Sequence, residues 1–142
     1  MCIRDRYLEV LLEQVRQADY FHVLGHFDVI RRYCDYADRS FPLSQYQEIT
    51  AEIFRTLIRK GKGIELNTGG LRCRLDSLHP DLATLRLYRS LGGEIVTVGS
   101  DAHSTPSIAW EFALAKDALR QAGFSYYSYF LQGQEYRVQI GA

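Results

Sequence analysis

Cysteine is scarce in this 142-residue chain: Cys2, Cys34 and Cys73 are odd in number, widely spaced and form no Cys-x-x-Cys pair. That argues against a disulfide framework and a zinc ribbon, and it fits a reducing, cytoplasmic setting. Net charge is lacking as well. Lys plus Arg and Asp plus Glu both count 17, so nothing electrostatic points to nucleic acid or an anionic membrane as partner, although local clusters could still bind phosphate. No apolar run approaches the roughly 18 residues of a membrane span, and the N-terminus has no cleavable signal layout. What is present, 46% hydrophobic and 24% charged residues, suffices to bury a core in one soluble globular unit.

Residues 1–6 do not join the pattern that follows and read as a non-native or unstructured tail, leaving 7–142 as the folded portion. Leu8, Leu11, Leu12 and Val15 predict an amphipathic helix ending near Ala18. Residues 20–24 then read as a short buried strand with Gly25-His26-Phe27-Asp28 at its C-terminal end. Residues 29–41 show no clean period and read as a loop with a short helix. Ser44 and Gln47 have capping-box spacing, and Tyr46, Ile49, Ile53 and Leu57 line one helical face before Gly61.

A second strand, residues 63–66, ends in Asn67-Thr68-Gly69-Gly70-Leu71-Arg72. Pro80 suits the first turn of a helix with Leu82, Leu85 and Tyr88 facing the core, and Gly92-Gly93 ends it before a strand over 94–98. Thr105 and Pro106 open a helix carrying Ile108, Phe112, Ala115, Leu119 and Ala122 on one face, stopped by Gly123. Two strands, 126–130 and 136–140, close the chain around a polar turn. Alternation of helix and strand is the order of a parallel sheet with helices packed outside, an α/β fold whose functional groups gather at strand C-terminal ends.

The third of those ends, Val96-Thr97-Val98-Gly99-Ser100-Asp101-Ala102-His103, is an apolar run stopped by an acid and a histidine. Residues two apart on extended backbone share a side, and a carboxylate with an imidazole suits a divalent metal. Taken alone, the pair reads rather as Asp101 capping a helix while His103 packs passively. Three strand tips that carry His26, Arg72 and Asp101 favour a functional mouth. His22 within a strand and His79 before Pro80 have no second ligand beside them and read as structural.

Gly25-His26-Phe27-Asp28-Val29-Ile30-Arg31-Arg32-Tyr33, Glu65-Leu66-Asn67-Thr68-Gly69-Gly70-Leu71-Arg72 and Gly99-Ser100-Asp101-Ala102-His103 resemble, in order, motifs of the polymerase and histidinol phosphatase (PHP) superfamily, in its histidinol-phosphatase branch. The resemblance implies the C-terminal part of a distorted (β/α)7 barrel whose mouth holds two or three divalent metals, Zn, Mn or Fe, and hydrolyses a small phosphate monoester, L-histidinol phosphate, in histidine biosynthesis. It implies His26, Asp101 and His103 as metal ligands, with Asp101 and His103 at the chemistry. Arg32 and Arg72 are the candidates for the substrate phosphate, since a guanidinium fork matches phosphate oxygens; either could instead form a surface ion pair with Asp28, Asp35 or Asp76. Asp28 orients His26 or pairs with Arg31 or Arg32, and Asn67 supports the site from behind.

The family's His-x-His pair, further histidine and bridging glutamate have no counterpart before Tyr20, and a barrel takes roughly 250 residues. The expectation is therefore that the missing N-terminal half of the same barrel is the chain's partner and completes the site, and that the short chain alone has no turnover. Other readings are a PHP-type phosphoesterase acting on nucleotides or nucleic-acid ends, and a non-catalytic phosphate-binding module.

Overall fold

The computed structural model describes residues 3–33 and 39–141; Asp35, one of the acids weighed as an ion-pair partner, lies outside them. Helix α1 (Ile3–Gln17) buries Leu8, Leu11 and Val15 at helical spacing. It begins four residues earlier than the periodicity predicts. Residues 3–6 are thus helical, with Arg4 buried, rather than an unstructured tail.

Strand β1 is only Val23–Leu24, because Tyr20 is fully exposed and the chain extends into register three residues later than expected. After it come the short helix α2 (Ile30–Tyr33) and the long helix α3 (Leu43–Arg59). The capping box does not form: Pro42, its φ fixed at −72°, is the N-cap, and Ser44 falls inside the first turn with no side-chain cap bond. Strand β2 (Gly63–Asn67), the single-turn α4 (Gly69–Arg72), α5 (Leu82–Ser90) and β3 (Val96–Gly99) follow. Asp81, not Pro80, opens α5, its carboxylate accepting the Thr84 N–H at 2.9 Å.

The helix expected from Thr105 is two pieces, a 3-10 turn (Thr105–Ser107) and α6 (Phe112–Ala122), separated by Ala109 and Glu111 at φ 56° and 57°. Ile108 consequently faces solvent, not the core. The closing strands β4 (Tyr126–Leu131) and β5 (Gln134–Gln139) form an antiparallel hairpin over the two-residue turn Gln132-Gly133. Both turn residues have positive φ, the twist a tight hairpin needs.

Strands β1, β2 and β3 make one parallel sheet in sequence order, with Val23 against Gly63, Ile64 against Val96 and Asn67 against Gly99. Helix α1 packs on α3, α3 on α5 and α5 on α6. Alternation along the strands sends Ile64, Leu66 and Val96 into this helical layer among Phe54, Leu57, Leu85 and Tyr88. Glu65, Asn67 and Gly99 consequently lie on the other face. Among the described residues no helix is long and apolar enough to cross a membrane.

Candidate active site

The polar face ends in a mouth at the C-terminal ends of the three strands, where His26, Asn67 and Asp101 arrive from β1, β2 and β3. His26 Nε2 lies 3.8 Å from Asp101 Oδ2, and His103 Nε2 lies 3.5 Å from Asp101 Oδ1. Asp101 is thus flanked by two imidazoles, one per oxygen. His103 is the outlier in burial, with 87% of its side chain exposed.

His26 and Asp101 both sit in the left-handed backbone region, at φ 54° and 51°. Such a conformation persists in a non-glycine residue only where its surroundings hold it. At His26 they do: the Tyr7 hydroxyl donates to the carbonyls of His26 (3.1 Å) and Phe27 (2.9 Å), while Glu65 Oε2 accepts the His26 N–H at 3.2 Å. Burial, with the Asp28 charge adding, pushes the Tyr7 phenol up to about 12, so it stays a donor. At Asp101 the clamp is Arg72, whose Nη2 donates to the carbonyls of Ser100 (2.6 Å) and Asp101 (2.8 Å) and whose guanidinium lies 5.4 Å from the Trp110 ring centre.

Glu65 carries a role the motif reading does not give it. Its Oε2 is 3.0 Å from His26 Nδ1, which leaves Nε2 facing Asp101. Gly25 and Gly99 make room for this carboxylate: a Cβ on Gly25 would lie 3.4 Å from Oε2, and one on Gly99 would clash with Oε1. The signal was in the sequence, since an acid in an apolar strand two residues before Asn67 must share the face of the site.

Arg32 Nη1 donates to Asp101 Oδ2 at 2.8 Å and its Nη2 contacts His79 Nε2 at 2.6 Å. That hydrogen bond, with the Arg32, His26 and His103 charges, holds the Asp101 carboxyl below its ordinary range against the opposing effect of burial. His79, expected to be structural, is buried directly behind Arg32. His22 stacks on Phe130 with ring centres 4.4 Å apart.

Asp28 faces Arg31 and His79, at 3.0 and 3.4 Å, rather than orienting His26. Arg31 is spent on Asp28, Asp76, Ser77 and the carbonyls of Arg39 and Leu78, and being 1% exposed it cannot meet a substrate. Asn67 is fully buried; its Oδ1 accepts the Gly69 N–H at 2.7 Å, and its Nδ2 has no partner among the described residues. An open cleft of about 840 Å³ lies along α1 and α3 and shares no residue with the mouth.

Two imidazoles and a carboxylate are the donors a borderline divalent ion prefers, and a carboxylate behind the far nitrogen of a liganding histidine is the usual way such a ring is oriented. The donor chemistry fits a metal. The set is partial, however: among the described residues no three His, Cys, Asp or Glu side chains close into a complete metal-binding group.

No protein-family profile matches the chain. It is 31% identical over 119 residues to the histidinol-phosphatase of Lactococcus lactis, covering 83% of this chain and 44% of that protein. With the probable histidinol-phosphatase of Clostridium acetobutylicum it shares 32% over 120 residues, covering 83% and 45%, and with that of Thermotoga maritima 32% over 106 residues, covering 75% and 43%. The fold superposes on the crystal structure of the Lactococcus lactis histidinol phosphate phosphatase complexed with zinc, L-histidinol and phosphate, with a TM-score of 0.76 at 26% identity over 94% of this chain and 50% of that one. The chain spans less than half the length of these curated relatives, and over most of its own length it is similar to histidinol-phosphatases in sequence and in fold.

Proposed function

We propose that this mouth is part of a metal-dependent phosphomonoesterase centre that hydrolyses L-histidinol phosphate to L-histidinol and phosphate, a cytoplasmic step of histidine biosynthesis. One observation carries the reading. His26 and Asp101, from separate strands, are each held in left-handed backbone by a dedicated clamp and present Nε2 and Oδ2 to each other at 3.8 Å. Strain maintained at two converging donors is the mark of a working site. The relative bound to zinc, L-histidinol and phosphate has the same fold over this region.

In this reading His26, Asp101 and His103 hold divalent metal, two or three ions in the complete centre, and Glu65 fixes the His26 ring. The metal, once bound, supplies a water of lowered pKa and neutralises charge on the phosphoryl group. Arg32 and Arg72 contribute positive charge toward the substrate phosphate, Arg32 from beside Asp101 and Arg72 from the loop it clamps. Asp28 and Asn67 act behind them. A two-metal site needs more donors than the described residues bring together, so the remaining ligands come from the other half of a distorted seven-stranded barrel, which is also the partner that covers the mouth. Neither nucleic acid nor membrane is a partner.

The test is Asp101→Asn in the intact enzyme. The expected outcome is a fall in kcat/KM for L-histidinol phosphate of about a thousandfold with a cooperative unfolding transition retained. A wild-type enzyme that prefers nucleotides or phosphorylated nucleic-acid ends would replace the substrate assignment. One that binds phosphate but takes up no metal would replace the catalytic one.

A further inference from the structure

Behind Arg32 lies His79, a residue to which hydrolysis as proposed gives no part. His79 is 1% exposed. Its backbone is tied to the tip of β2 by a two-way bridge with Asn67, at 2.8 and 3.2 Å. Gly70 leaves space for its ring, because a Cβ there would lie 2.5 Å from His79 Cδ2; a Cβ on Gly69 would lie 2.9 Å from Asp101 Cβ and 3.2 Å from Arg32 Nη2. The Gly69-Gly70 pair thus admits the three side chains that meet there.

The contact between Arg32 Nη2 and His79 Nε2 is 2.6 Å. A guanidinium only donates, so Nε2 accepts and the ring proton sits on Nδ1. Nδ1 faces Asp28 Oδ1 at 3.4 Å, within ion-pair distance but without hydrogen-bond geometry, and neither atom has a hydrogen-bond partner among the described residues. The other Asp28 oxygen accepts from Arg31 Nη1 at 3.0 Å, and Arg31 is locked in turn by Arg39, Asp76, Ser77 and Leu78. A column therefore runs from Arg31 through Asp28 and His79 to Arg32 and ends on Asp101.

We infer that His79 is a positioning residue: with Asp28 behind it, its Nε2 lone pair fixes the direction in which Arg32 presents its charge to Asp101 and the substrate phosphate. A histidine that only filled the core would have no need of an acceptor aimed at a cation, and an apolar side chain would fill the same space without polar atoms to satisfy. Arg32 needs such a guide, because a long flexible side chain anchored by Nη1 alone keeps several orientations, whereas anchoring Nη2 as well leaves one. The inference rests on the reading that Arg32 serves a phosphate site.

Two variants of the intact, metal-loaded enzyme test it. His79→Leu removes the acceptor, and His79→Gln returns one as an amide oxygen. Expected for His79→Leu is a rise of about tenfold in KM for L-histidinol phosphate and in the inhibition constant of inorganic phosphate, with kcat changed less, since one hydrogen bond to a charged group is lost. His79→Gln should restore both values to within about twofold of wild type. Equal constants for wild type and both variants would overturn the inference, as would equal damage in Leu and Gln. Nitrogen-15 spectra of the histidine rings give a reading that needs neither turnover nor a folded His79 variant. In the wild type His79 should carry its proton on Nδ1, and Arg32→Met should shift the Nε2 signal; a proton on Nε2 sinks the idea. If the wild type fails to hydrolyse histidinol phosphate, the phosphatase reading falls, while those spectra still decide whether His79 directs Arg32.

Discussion

Glu65 and Leu66 are neighbours on β2, yet one side chain ends in the mouth and the other in the core. On the core side Ile64, Leu66 and Val96 are fully buried among aromatic and aliphatic groups, and what they contribute is area removed from water. Direction hardly matters there, and a different hydrophobic side chain of similar volume would serve. On the mouth side each charge has a partner at hydrogen-bond distance: Glu65 with His26, Arg32 with Asp101 and His79, Arg31 with Asp28, Arg72 with the Ser100 and Asp101 carbonyls. There a change of one atom in the wrong place leaves a partner unsatisfied. The two faces should therefore fail differently when mutated, one through stability alone and the other through chemistry first.

The largest expected loss of stability comes from a residue that belongs to the mouth by sequence and to the interior by burial. Arg31→Met leaves Asp28 buried without its cation, which should cost about 3–5 kcal/mol in urea unfolding. A loss near zero would mean that water reaches Asp28 and that the column behind Arg32 is not sealed. Leu66→Ala follows, at about 2–5 kcal/mol for a truncated core side chain. Its folded population should keep the metal affinity of wild type; a weakened site in this variant would show that the two faces are not separable.

That separation was half legible in the sequence. Period 3.6 in α1 and α3 and the apolar strands specify the core, because area and spacing are local properties of the chain. The motif reading likewise brings His26, Asn67, Arg72, Asp101 and His103 to one end of the sheet. It does not see which of two adjacent arginines turns inward. Arg31 and Arg32 are about 100° apart on α2, and what fixes them is the 76–79 segment, more than forty residues away. Nor does it find His79 or Tyr7, whose partners in space have no sequence spacing to betray them. Where local pattern failed outright, at Ile108, two left-handed residues, Ala109 and Glu111, broke a helix the apolar spacing had drawn.

Glu65→Gln sharpens the comparison from the mouth side. The amide keeps the size that Gly25 and Gly99 accommodate, but it no longer offers His26 a charged acceptor. Zinc affinity measured by calorimetry on the intact enzyme should fall by about 10- to 100-fold, the usual effect of losing the group behind a liganding histidine. The melting temperature should barely move, since the Glu65 side chain is still 18% exposed. Unchanged affinity would reduce Glu65 to a filler between two glycines.

The smallest effect is expected where a carboxylate and a cation meet outside both faces. Lys60 Nζ donates to the Val15, Arg16 and Ala18 carbonyls at the end of α1, at 3.0, 2.8 and 2.9 Å, and lies 2.9 Å from Asp19 Oδ1. The Lys60 hydrogen bond, then the Lys60 charge, and last that of Lys62, hold the Asp19 carboxyl below its ordinary value of 3.8. Because the folded pKa lies below the unfolded one, the contribution is fully present above pH 3.8 and is lost as the pH falls through the depressed value. Urea midpoints of wild type and Asp19→Asn should therefore differ at about pH 6 and converge as the medium is acidified through the carboxylate range, by an amount kept small by exposure to solvent. A gap that stays constant with pH would show that Asp19 does not pair with Lys60 in solution. The pairs that count would then be those shielded from water, Asp28 with Arg31 and Asp101 with Arg32.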